Sequence, residues 1–149
     1  MDTPTNDITL IAHAIQLSLA PVFLLSGIGV MLGVLTNRLA RIVDRARPLE
    51  ERRKHVDPDA AAELNRQLQS FARRARLMNT SITLSVISAL LIASVVALLF
   101  SSAFIQLNLA VAVSALFIAA MFSLVLALGS FLAEIRIATA ALRIAHDPH

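Results

Sequence analysis

Three stretches of this chain are apolar almost without interruption, and each is long enough to cross a lipid bilayer as a helix. The first covers about residues 8–36 and contains LAPVFLLSGIGVMLGVLT; the second covers about 81–100 and the third about 107–132. A hydrocarbon core of roughly 30 Å takes about 20 helical residues. Between the first two stretches, residues 37–80 change in polarity without losing helical spacing. NRLARIVDRAR follows Thr36 directly, and Leu39, Ile42, Val43 and Ala46 fall on one helical face. Beyond Pro48 and LEERRKH, the segment HVDPDA breaks the pattern. Asp57 suits an N-cap there, Pro58 the first helical position and Glu63 the first turns. AAAELNRQLQSFARRARLMNTSITLS then runs on without Gly or Pro, with Leu64, Leu68, Phe71 and Ala75 at helical spacing. The pattern predicts an all-α integral membrane protein, a single membrane domain over residues 1–149. It has three transmembrane helices, and spans one and two are joined by a long antiparallel helical hairpin.

Charge gives this arrangement a direction. All 13 Lys and Arg residues lie between Arg38 and Arg76 or at Arg136 and Arg143. The leader MDTPTND and the SSAFIQLN connection carry none. Basic residues stay on the cytoplasmic side, so the N-terminus is expected outside and the 37–80 hairpin and C-terminal tail inside. The leader is acidic and the first apolar run exceeds a cleavable signal, so the first span is expected to be retained. The arginines of NRLARIVDRAR are read as snorkelling to phosphates or water at the inner leaflet. The expected location is a bacterial inner membrane.

Composition sharpens this and removes alternatives. The chain of 149 residues is 57% hydrophobic and 15% charged, with a mean hydropathy of +0.74. A soluble domain is nearer 45–50% apolar and about 25% charged. There is no Cys, so no disulfide framework or thiolate metal site, and no Trp or Tyr for an interfacial belt. The basic residues abut the spans, so they read as orientation and contact with anionic lipid head groups, not as nucleic-acid binding.

Helix association in lipid depends on small residues that let backbones approach. Span two carries Ser81, Ser85, Ala89, Ala93, Ala97 and Ser101 at steps of four, and span three carries Ala115, Ala119, Ser123 and Ala127. Span one has Ser26, Gly29 and Gly33, including one GxxxG pair. These stripes fit tight packing within one three-helix unit. Three helices bury little internal surface, so the chain is also expected to self-associate as a homo-oligomer, with the Gly29–Gly33 face against another subunit. The span-one stripe continues through Asn37 and Arg41 to Asp44, and the span-three stripe through Ser130 to Glu134. A carboxylate on a packing face at the membrane edge is costly unless paired. Glu134 is therefore expected to pair with Arg38, Arg41 or Arg76, and Asp44 with a neighbouring arginine, as interhelical clamps.

Candidate chemistry is sparse. His13 and Gln16 put polarity into the outer half of span one, three residues apart, with Asp7 nearby. They read either as an interhelical hydrogen bond or as the mouth of a path; two ligands make a poor metal site. Pro21 is expected to kink or loosen span one, and His146 and His149 to belong to a frayed tail. No nucleophile–base pair, phosphate-cradling loop or paired intramembrane carboxylate is present, so no enzyme, cofactor or metal centre is predicted.

The order LTNRLARIVDRAR, RRARLMNTSI and FLAEIRIATAALRI resembles the bacterial family catalogued as domain of unknown function 2721, small three-span inner-membrane proteins. The resemblance covers nearly the whole chain and is most specific at Asn37, Arg38, Arg41, Asp44, Arg45, Arg47, Glu134 and Arg136. It implies the location and three-span topology but no activity. Two functions stay open, the first the preferred expectation and the second its alternative. One is a homo-oligomeric ion channel or permeation pathway lined by span one, through His13, Gln16, Ser26, Gly29, Gly33 and Asn37. The other is a non-conducting scaffold or regulator. Its hairpin, with eleven basic and six acidic residues over 38–76, would hold a partner or anionic lipid.

Overall fold

The computed structural model describes residues 4–105 and 110–144, with side chains at 9, 11–13, 15–57, 60–102 and 110–139. The expectations for Asp7, Arg143, His146 and His149 fall outside those side chains, as do Leu107, Asn108 and Leu109 at the expected start of span three. The described residues form three helices: α1 (Pro4–Arg53), α2 (Pro58–Ile105) and α3 (Ala110–Ile144). At 1.5 Å per residue, the 50 and 48 residues of α1 and α2 extend roughly 70–75 Å, more than twice the thickness of a hydrocarbon core. Each apolar run is thus one part of a longer helix. Windows of α1, α2 and α3 are long and apolar enough to cross a membrane.

Local chemistry accounts for the helix limits. Lys54 N and His55 N donate to Glu51 O and Arg52 O as α1 unwinds, and residues 54–57 form the turn. Ala61 N donates to Asp57 O at 2.9 Å, closing the first turn of α2 behind Pro58. Pro21 and Pro48 lie inside α1, which is continuous through both, and Pro21 is buried.

One spacing rule governs burial in all three helices. On α1 the covered positions include Ser18, Pro21, Leu25, Ile28, Leu32, Leu35, Leu39, Ile42 and Ala46, with Leu24, Met31, Arg38 and Leu49 half-buried beside them. On α2 they run Phe71, Arg74, Met78, Ser81, Ser85, Ser88, Ile92 and Val95, and on α3 Val113, Leu116, Ala120, Ser123, Ala127, Ser130 and Glu134. Steps of three and four alternate, a period near 3.5 that keeps one face turned to a neighbour. The every-fourth stripes therefore do not hold. A step of four overshoots a turn by about 40°, so on α2 Ser81 and Ser85 are buried while Ala93 and Ala97 are exposed. On α3, Ala115 and Ala119 are exposed while Ser123 and Ala127 are buried.

The chain divides into two compact units, residues 1–31 with 84–125 and residues 32–83 with 126–149. In the first, Ile28, Ile92, Val95 and Ala120 are buried among hydroxyls that cross between helices. Ser88 Oγ donates to Ala120 O and Ser123 Oγ to Leu84 O, each at 2.8 Å. A cavity of about 510 Å³ in this unit is lined by apolar side chains, among them Leu17, Pro21, Val95 and Phe117. Outward-facing side chains are large and apolar: Phe23, Val30, Leu90, Val111, Ile118 and Phe122 are all exposed, as a lipid-facing surface requires and a water-facing one penalises.

Candidate functional site

The second unit concentrates the charge. Leu35, Ile42, Met78 and Ala127 form its buried apolar positions, and Glu134 stands on the α3 stripe seven residues beyond Ala127. Its side chain is 0% exposed. Arg74 of α2 approaches Glu134 Oε1 with Nε at 3.0 Å and Nη2 at 2.9 Å. Arg38 of α1 brings Nη2 to 3.3 Å from Oε2, close enough for attraction but not aligned as a hydrogen bond, so Oε2 has no hydrogen-bond partner. The Arg38 guanidinium also lies 5.1 Å from the centre of the Phe131 ring, a cation–π contact. All three helices thus meet at one carboxylate. Burying that charge costs several kcal/mol, which the two cations and their directed donors offset.

Glu134 was expected to choose among Arg38, Arg41 and Arg76. Arg38 does form an ion pair with Glu134, and Arg74, which was not among the three, adds the two hydrogen bonds. Arg74 lies four residues before Met78, on the packing face, whereas Arg76 is two positions further, about 200° around the helix, and exposed. The alternating run Phe71, Arg74, Met78, Ser81 carried that signal, and the every-fourth reading hid it. Asp44 does not follow its expectation. It is exposed and makes no salt bridge; the ion pairs among the described residues are Arg38–Glu134, Arg74–Glu134 and Arg66–Glu63. Asn37, Arg41 and Asp44 run beside Leu39 and Ile42, not through them, and all three are exposed.

Next to the ion cluster, Arg38, Arg41 and Arg45 of α1 and Arg74 of α2 line a cavity of about 170 Å³ with Ile42 and Phe71. Positions 38, 41 and 45 lie within about 60° of one another on the helix. A second cavity, about 390 Å³, is more apolar and lies between α1 and α2, with Val43, Ala46, Leu68 and Ala72 on its walls. Arg53 Nη1 donates to Asn65 Oδ1 at 3.2 Å near the turn joining these helices.

The candidate path residues lie elsewhere. His13, Gln16, Ser26, Gly29, Gly33 and Asn37 are all exposed on α1, and none of the six lines the 510 Å³ cavity. Among the described residues His13 and Gln16 make no hydrogen bond, so the interhelical bond expected of them is not seen there: both are exposed, away from the buried side of α1 marked by Ser18 and Pro21. A Cβ built on Gly29 or Gly33 would meet nothing within 4 Å. Close packing within the chain therefore does not explain those glycines.

A family model described as "Protein of unknown function (DUF2721)" matches residues 18–144. The chain belongs to the DUF2721 family. The matched span begins at buried Ser18 and ends with α3, so it includes Arg38, Arg74 and Glu134 together with the four-arginine cavity. No curated protein and no solved structure matches this DUF2721 chain.

Proposed function

We propose that the protein is an inner-membrane scaffold or regulator without enzymatic activity, which holds an anionic partner at the cytoplasmic face. In this reading the N-terminus is outside, and the 37–80 hairpin and the C-terminal tail are inside. The observation that carries it is the convergence of Arg38, Arg41, Arg45 and Arg74 on one cavity, with a single buried carboxylate, Glu134, behind it. A clamp alone needs one or two arginines; four leave a cationic recess that attracts anions. Two measurements test this. Membranes washed with alkaline carbonate should retain the chain, and a cytoplasmic reporter fused after Arg143 should be active. A soluble chain, or a reporter active only outside, rejects the location and with it the function.

A second reading, a homo-oligomeric permeation pathway lined by α1, is favoured by the open space beside Gly29 and Gly33 and by the exposed Asn37. It needs another subunit to cover that face. Flux of potassium or chloride from proteoliposomes above that of empty vesicles would favour the pathway; flux at the empty-vesicle level favours the scaffold.

A further inference from the structure

We infer that the cavity formed by Arg38, Arg41, Arg45 and Arg74 is a binding site for a phosphate group; the inference that a lipid head group supplies it rests on the membrane reading above.

The first reason is charge balance. Four arginines line one recess of about 170 Å³, and Glu134 neutralises the equivalent of one. Among the described residues Arg41 and Arg45 have no carboxylate within salt-bridge distance, and Asp44, on the same helix, is exposed and unbridged. Like charges around a partly enclosed space repel more strongly than in bulk water, so the recess favours an anion. The second reason is orientation. Arg74 is fixed by two bonds through Nε and Nη2, and Arg38 is held between Phe131 and Glu134. Each arginine has five N–H donors, so both keep donors free while their side chains are already ordered. Little further side-chain entropy is lost when a ligand arrives.

The third reason is shape. A carboxylate is planar and one arginine fork satisfies it, whereas a phosphate spreads its acceptor oxygens over a tetrahedron and suits several converging forks. Ile42 and Phe71 supply apolar walls between the cations. The volume is ample for such a group with water, since ~10–15 Å³ is enough for one water molecule. The fourth reason is position. Arg38 comes two residues after Thr36, where the apolar run of α1 ends, and Arg74 precedes the apolar run of α2. If those runs fill the hydrocarbon core, the cavity lies at the depth of lipid phosphates.

The experiment uses the full chain in two arms. In nanodiscs of mixed phosphatidylcholine and phosphatidylglycerol, native mass spectrometry reads retained phosphatidylglycerol. In detergent, phosphorus NMR reads binding of inorganic phosphate. The test variant is Arg41→Gln with Arg45→Gln, which leaves the Glu134 cluster intact; the control is Arg52→Gln with Arg73→Gln, which removes two exposed arginines outside the cavity. The test variant should bind roughly tenfold or more weakly, as expected for losing a charge-assisted contact, and the control within about twofold of the parent. Arg41→Lys with Arg45→Lys, which keeps charge and removes the forks, should fall between. Binding in both arms identifies the phosphate group itself as sufficient; binding in the lipid arm alone identifies the head group as its source. Equal binding by parent and test variant in both arms overturns the site, and so does an equal loss in the control. The detergent arm reports on the cavity even if carbonate washing rejects the membrane location, so the two failures are distinguishable.

Discussion

The unit formed by residues 1–31 and 84–125 and the unit formed by 32–83 and 126–149 are built from the same three helices with the same alternating spacing, yet opposite chemistry fills that spacing. In the first, stripe positions hold Ser88, Ala120, Ser123, Ile92 and Val95. The polar groups are hydroxyls bonded to carbonyls of the neighbouring helix. In the second, equivalent positions hold Arg74 and Glu134, with Arg38 completing the contact. A hydroxyl whose interhelical acceptor is removed can bond a carbonyl of its own helix instead, the bond that Ser18 makes to Ile15 O. A buried carboxylate has no such alternative. The first unit should therefore tolerate polar deletions, and the second should not.

The sharpest break in that comparison is Glu134→Gln. It leaves two arginines facing each other across a site that is closed to water on the α3 side. Breaking a buried ion pair by removing one partner typically costs about 3–5 kcal/mol. Unfolding of the purified chain in micelles, followed by helical circular dichroism, should show a loss of that size. Replacing Glu134, Arg74 and Arg38 together with Leu should cost less than Glu134→Gln alone, because no charge is left unpaired. A single variant within about 1 kcal/mol of the parent would remove the contrast between the units.

The two arginines are unequal, which refines the comparison within the second unit. Arg74 is 22% exposed and donates twice to Glu134, whereas Arg38 is 32% exposed and contributes one poorly aligned contact and a ring contact. Arg74→Leu should cost about 3 kcal/mol and Arg38→Leu about 1 kcal/mol in the same unfolding measurement. The reverse order would show that Oε2, not Oε1, is the anchored oxygen.

In the first unit, Ser88→Ala and Ser123→Ala remove the two interhelical hydroxyl bonds. Such bonds average about 0.6 kcal/mol in membrane helices and reach about 1.7 kcal/mol. Each variant should lose that much, and the pair should add, unless the Ser88 and Ser123 bonds share a backbone shift. A loss comparable to that of Glu134→Gln would show that hydroxyls and charges hold these helices equally.

Much of this architecture is legible in the residues, because its causes are local. The apolar runs, the Asp57–Pro58 start of α2 and the continuity of NRLARIVDRAR with the preceding helix follow from hydropathy, capping and spacing. The face of each helix is harder to read, because small residues at steps of four and at alternating three and four overlap for one or two turns and then diverge. Ser81 and Ser85 satisfy both patterns; only Ser88, Ile92 and Val95 distinguish them. The same divergence separates Arg74 from Arg76. The cavity had no signature of its own, since Arg38, Arg41, Arg45 and Arg74 become neighbours only when α1 and α2 are laid side by side. Arginine number alone cannot separate a recess from a solvated face.

The smallest expected effect returns to that point. Asp44 and Glu134 are both carboxylates in the second unit, each with an arginine within two residues in sequence, and composition alone treats them alike. Asp44 is exposed and unbridged, so Asp44→Asn should change unfolding stability by no more than about 0.5 kcal/mol, the range of a surface substitution. By removing a negative charge beside Arg41 and Arg45, it should also leave phosphate binding equal or slightly tighter, never weaker. A stability loss above 1 kcal/mol would place Asp44 in a clamp that another subunit or a lipid completes, and the outward stripe of α1 would then be an interface instead of a free face.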